Sequence, residues 1–93
     1  MTIGLCRVTL YLPGVSSLKA KRSIIKRLLS KVRQKFNVSA SEIGETDTWQ
    51  KAILGVAVVA NDSAFANSVI SNVVNLFDAD HQVEVLDCAI EMM

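Results

Sequence analysis

The chain is predicted to be an α+β domain with the order strand, helix, strand, strand, helix, strand. Three observations carry this. Residues 2–12 and 82–92 alternate at period two beside a continuous apolar run within 49–60, residues 18–36 and 63–78 carry apolar stripes at helical spacing, and turn residues separate them.

In the first strand Cys6, Val8, Leu10 and Leu12 share one face, with Arg7, Thr9 and Tyr11 on the other. Pro13-Gly14 ends it, since Pro cannot donate to a ladder and Gly permits a sharp turn. Ser17 is the expected N-cap of the first helix, whose stripe is Leu18, Ile25, Leu28, Leu29, Val32 and Phe36, with Asn37 as the stop. A short strand is expected at 38–44, then a polar loop from Glu45 to Thr48. Residues 49–60 are apolar on both faces, as in a strand at the centre of a sheet. Asn61-Asp62 should cap the second helix, built on Phe65, Ala66, Val69, Ile70, Val73 and Phe77. The last strand is expected to place Leu86, Cys88, Ile90 and Met92 on one face, leaving Val85 and Ala89 on the other.

This order matches the split-βαβ, ferredoxin-like plan βαββαβ. It predicts a four-stranded antiparallel sheet, both helices on one face, and the first and third strands central. One such domain is expected over residues 1–93. A chain of 10.1 kDa should expose about 5,300 Å² of the roughly 14,600 Å² of its extended form. Hydrophobic content of 51% with 20% charged excludes a disordered chain. No apolar run reaches the roughly 18 residues of a membrane span, and the N-terminus lacks the build of a signal peptide. Two cysteines are too few for a disulfide scaffold. A cytoplasmic protein with reduced, buried thiols is therefore expected, with no membrane contact.

The net charge of +1 conceals a strong asymmetry. Residues 1–41 hold Arg7, Lys19, Lys21, Arg22, Lys26, Arg27, Lys31, Arg33 and Lys35, and no acid. Every acid lies in residues 42–93, where Lys51 is the one cation. Such a division implies an anionic partner for the first half, or pairing between halves or subunits.

The segments Ser17-Leu18-Lys19-Ala20-Lys21-Arg22, Phe36-Asn37-Val38-Ser39-Ala40, Trp49-Gln50-Lys51-Ala52 and Leu54 to Asp62 together resemble the YlxP-like family of small bacterial proteins. The likeness runs over essentially the whole chain. It implies a ferredoxin-like fold and a bacterial cytosolic setting, and it supplies no catalytic residues to transfer. It also implies an uncharacterised biochemical role, and genes of that family often neighbour those of translation-initiation and ribosome-maturation factors, an association that points towards RNA. One departure is Ala20, where the family often has Glu. The capping box with Ser17 is thus absent and the first turn more cationic.

The first helix carries eight cations and no acid. With Ile25 at zero and about 100° per residue, Arg22, Arg33, Lys26 and Lys19 fall near about 60°, 80°, 100° and 120°. They form one row beside the apolar stripe. Arg27, Lys31 and Lys35 lie on the back and the opposite flank, and Lys21 falls inside the edge of the stripe, where a snorkelling side chain is expected.

This pattern works against the helix. Cations in the first turn oppose the macrodipole by roughly 0.3–1 kcal/mol each. The pairs Arg22/Lys26, Arg27/Lys31 and Lys31/Lys35 add about 0.2–0.5 kcal/mol each. Two readings explain it. The row is a solvated face turned to the acidic half, or it meets phosphates of RNA or the ribosome, with Lys19, Arg22, Lys26 and Arg33 gripping and Lys21, Arg27, Lys31 and Lys35 auxiliary. A polar face of Asn67, Ser68, Ser71, Asn72 and Asn75 on the second helix is expected to sit beside the row.

Enzyme chemistry is not expected. His81 is the only histidine, too little for a zinc site, and no Gly-rich phosphate loop follows a strand. No cofactor and no metal are therefore anticipated. The open sheet face offers Tyr11 and Trp49 as its only stacking candidates. Its mixture of Ile3, Leu5, Ile53 and Ala57 with Arg7, Lys51, Asp87 and Glu91 suits a homodimer. The alternative function is accordingly a homo-oligomeric adaptor whose basic helix docks an acidic protein.

Overall fold

The computed structural model describes residues 1–93. Its elements are β1 (Thr2–Tyr11), α1 (Leu18–Lys35), β2 (Ser39–Gly44), β3 (Lys51–Ala60), α2 (Ser63–Asp78) and β4 (Glu84–Met92). They form one antiparallel sheet in the order β2-β3-β1-β4, with β1 and β3 central as the sequence predicts.

Local chemistry sets the helix starts. The Ser17 hydroxyl accepts from the Ala20 N–H at 3.1 Å, and the Asp62 carboxylate accepts from the Phe65 N–H at 2.7 Å. Each satisfies a donor that the first turn leaves unpaired. Gly14, at φ +77°, takes the turn between β1 and α1 that an L side chain would resist. α1 stops at Phe36, one residue before the expected Asn37, where the backbone becomes extended.

Both helices pack on the sheet face formed by Cys6, Val8 and Leu10 of β1 and by Ala52, Leu54, Val56 and Val58 of β3. Against them lie Ile25, Leu28, Leu29 and Val32 of α1, and Ala66, Ile70, Val73 and Phe77 of α2. Full burial of such side chains is worth about 1.5–3 kcal/mol each. The close approach of α2 to β1 depends on Gly4. A Cβ there would stand 2.9 Å from Ile70 Cδ1 and 3.0 Å from Val58 Cγ1.

Two irregularities redirect side chains. Thr9 pairs with Asp87 but Leu10 pairs with Val85, so Leu86 is an extra residue in β4. Val85 therefore joins Leu10 on the helix side, against the expectation that it lies on the open face. Leu86 leaves the row of Cys88, Ile90 and Met92 and is exposed. In β2 the register shifts between Glu42 and Gly44, so Ile43 is the extra residue there.

The thiols are free but differ in setting. Cys6 is buried and Cys88 exposed, so the expectation of two buried thiols holds for Cys6 alone. Cys88 lies on an edge strand, opposite Val8 and diagonal to Cys6. Burial, and then the neighbouring Cys88, push the Cys6 thiol up to about 12. No helix is long and apolar enough to cross a membrane.

Candidate nucleic-acid interface

The sequence alone leaves open which flank of α1 faces outward, and tertiary contacts decide it. Arg27 donates from Nη1 to Asp80 Oδ2 at 2.7 Å, and from Nη2 to Asp80 Oδ1 at 3.1 Å and Gln82 Oε1 at 2.6 Å. That flank therefore meets the segment joining α2 to β4. Arg33 instead donates to the Ala40 carbonyl of β2. The row of Lys19, Arg22, Lys26 and Arg33 consequently runs along the outer flank of α1, over the β2 edge of the sheet. From Lys19 to Arg33 it extends about 21 Å at 1.5 Å per residue.

All four row residues are exposed, and none forms an ion pair within the chain. Lys31 and Lys35 are likewise exposed and unpaired, on the other flank. The exposed Asn67, Ser68, Ser71, Asn72 and Asn75 belong to the helix on that second flank. They do not border the row, against the expectation; β2 borders it with its unpaired outer edge, while Ser39 and Ser41, in register with Ala57 and Gly55, point to the open face of the sheet.

Two of the eight cations, both expected to be auxiliary, meet acids of the same chain, Lys21 fully buried and Arg27 42% exposed at the side chain. The Lys21 side chain has no exposed surface, and its Nζ lies 3.0 Å from Glu42 Oε2. It also donates to the Glu45 carbonyl. Glu42 Oε2 is itself buried and sits off hydrogen-bonding alignment, so the contact acts as an ion pair. Glu45 adopts a left-handed backbone at φ +57°, and Thr48 Oγ1 donates to its carboxylate at 2.8 Å. Lys21 thus fastens the β2–β3 loop to α1 and is structural.

Arg27 is the second cation paired within the chain, though it stays exposed. Its Asp80 partner is 6% exposed at the side chain, which makes the bidentate pair well shielded on one side. Hydrogen bonding to Arg27 holds the Asp80 carboxyl below the usual carboxylate range. The same bond raises Arg27. Both pairings share a cause. An acid from a distant part of the chain arrives beside the helix position, and helical periodicity carries no record of it. The wheel does place Lys21 at the stripe, and that was the available signal.

The two stacking candidates, Tyr11 and Trp49, lie outside α1. Tyr11 is half-buried on the open sheet face, paired with Lys51, and Trp49 is exposed in the β2–β3 loop.

Fold and surface together define a small ferredoxin-like α+β domain with a basic helix along one edge. The chain belongs to the family described as Protein of unknown function (DUF503), whose model matches residues 3–90. It is 39% identical over 79 residues to the Uncharacterized protein YlxP of Bacillus subtilis (strain 168), covering 85% of this chain and 84% of that protein. The resemblance read from the sequence segments is thereby shown. Among solved structures, the chain is similar to a de novo designed protein with a ferredoxin fold determined by solution NMR. The TM-score is 0.63 at 13% identity, over 100% of this chain and 84% of the design. That likeness concerns the fold alone.

Proposed function

We propose that this protein is a cytoplasmic binding module rather than an enzyme, which grips RNA phosphates through Lys19, Arg22, Lys26 and Arg33. One observation carries the reading: the four cations line a single outer flank and no carboxylate of the chain neutralises them. Structure gives Lys21 and Arg27 a role of their own. For Lys19, Arg22 and Lys26 no internal contact offsets the cost to the helix. Phosphate oxygens would offset it, with counterion release as the driving force. The translational setting implied by the family resemblance favours structured RNA of the ribosome as the polyanion. Backbone contacts of this type position without reading sequence, so binding is expected to be weakly selective.

Filter binding of a structured RNA at two salt concentrations tests this. Four phosphate contacts predict that raising salt from about 50 to 200 mM weakens binding about 50- to 150-fold. A Lys26→Glu/Arg33→Glu variant should lose at least about tenfold in affinity and about half of the salt slope. Equal affinity for the variant, with an unchanged circular dichroism spectrum, would remove the reading.

A further inference from the structure

We propose that the open face of the sheet is covered by the same face of a second copy of this chain. This is independent of the phosphate-binding reading, which uses the other side of the molecule. The face is built for cover. Register places Ile3 and Leu5 of β1 beside Val59 and Ala57 of β3, with Val59 67% exposed. Ile43, the extra residue of β2, is 56% exposed and lies over Gly55, where a Cβ would stand 3.0 Å from its Cγ2. Beside this ridge a depression of about 720 Å³ opens over Gly55, Ala57 and Ala89. Ridge and hollow on one face are what a self-complementary surface requires.

Its extent is also adequate. Ten-residue strands in a four-stranded sheet give a face about 34 Å long and about 14–19 Å wide. Covering β3, β1 and β4 alone gives on the order of 450 Å² per copy, the low end of specific interfaces, as suits a dimer that forms at micromolar concentration.

Charge selects a second copy as the occupant. On β4 the side chains of Glu84, Asp87 and Glu91 sit in register with Tyr11, Thr9 and Leu5, and so point to the open face. Arg7, opposite Gly55 and Ala89, and Lys51, opposite Tyr11, point the same way. None of these five charges is paired within the chain. Acid occupies one edge of the face and cation its centre. A twofold axis parallel to the strands lays β4 of each copy over the centre of the other. Asp87 and Glu91 then flank Arg7 of the second copy, and Glu84 meets its Lys51. The two α1 rows are left on the outside of the dimer.

Sedimentation velocity at about 50 μM checks this, with two variants and their mixture. The wild type should sediment at about twice its monomer mass. Arg7→Glu alone, and Asp87→Lys/Glu91→Lys alone, place like charges across the axis. Each should raise the dimer dissociation constant at least about tenfold. Mixed in equal amounts they restore opposite charges at both sets of contacts, so the mixture should recover the dimer. A monomeric wild type overturns the proposal. So does a dimer indifferent to both variants, which would place the interface elsewhere, or a mixture that stays monomeric. Circular dichroism of each variant separates loss of pairing from loss of fold. RNA affinity of the Lys26→Glu/Arg33→Glu variant is unaffected by these outcomes, so the two readings fail separately.

Discussion

Lys21 and Lys26 sit in one helix and differ entirely in what they do. The first is sealed under the sheet edge against Glu42, and the second is open to solvent. Removing one member of a shielded pair costs more than the pair is worth, because a charge is left without its partner in a poorly solvated place. Lys21→Met should therefore destabilise the protein by about 2–3 kcal/mol, at the low end for buried pairs because Glu42 keeps 19% exposure. The double change Lys21→Met/Glu42→Leu should recover most of that loss. Urea unfolding of the two variants measures both. The chemistry was only half legible in the sequence. A lysine inside an apolar stripe signals a side chain with something to hold, but Glu42 becomes its neighbour only once β2 pairs with β3.

At the scale of the element, α1 carries a conflict between its own stability and its charge. Its N-cap hydroxyl is in place, yet the first turn holds no acid. Lys19→Glu would put a carboxylate where the helix dipole favours one, and should raise stability by about 0.3–1 kcal/mol. The same change should lower the slope of log affinity against log salt by about one. Thermal unfolding and RNA titration on that variant give opposite signs if the row serves a ligand. A variant that gains stability and binds RNA unchanged would leave Lys19 outside the interface. The elements were readable in advance, because caps, turns and periodicity are local. Each strand and helix lies within two residues of its expected bounds, as β3 starting at Lys51 and β4 at Glu84 show. The exception within an element is the bulge at Leu86, which reverses the face of Val85. Alternation in a strand carries no mark of an extra residue unless Gly or Pro announces it.

Across the whole molecule, the basic first half and the acidic second half are tied by Arg27 and Asp80, 53 positions apart. Asp80 has a folded pKa below its unfolded one, through hydrogen bonding to Arg27 first and to the Gln82 N–H next. The tie thus contributes fully above the ordinary carboxylate value near about 4. It is lost as pH falls through the depressed folded value. Arg27 stays charged throughout and adds no pH dependence of its own. Asp80→Asn should cost about 1 kcal/mol at neutral pH, and its difference from wild type should close as pH drops below about 4. Urea midpoints measured from pH 7 to pH 2 follow this. A difference that persists at the acid end would assign the tie to hydrogen bonding without charge.

The alternation of β1, the stripes of α1 and α2, their caps, and the division of charge along the chain were all determined by the sequence alone. Each depends on residues a few positions apart, whose spacing the backbone geometry converts directly into a face. Only the tertiary structure decided which cations remain free, which flank of α1 looks outward, and on which side of the sheet Val85 lies. Those outcomes depend on Glu42, Ala40 and Asp80 arriving beside α1 from other elements, and on strand register. Both are set by the packing of the whole core.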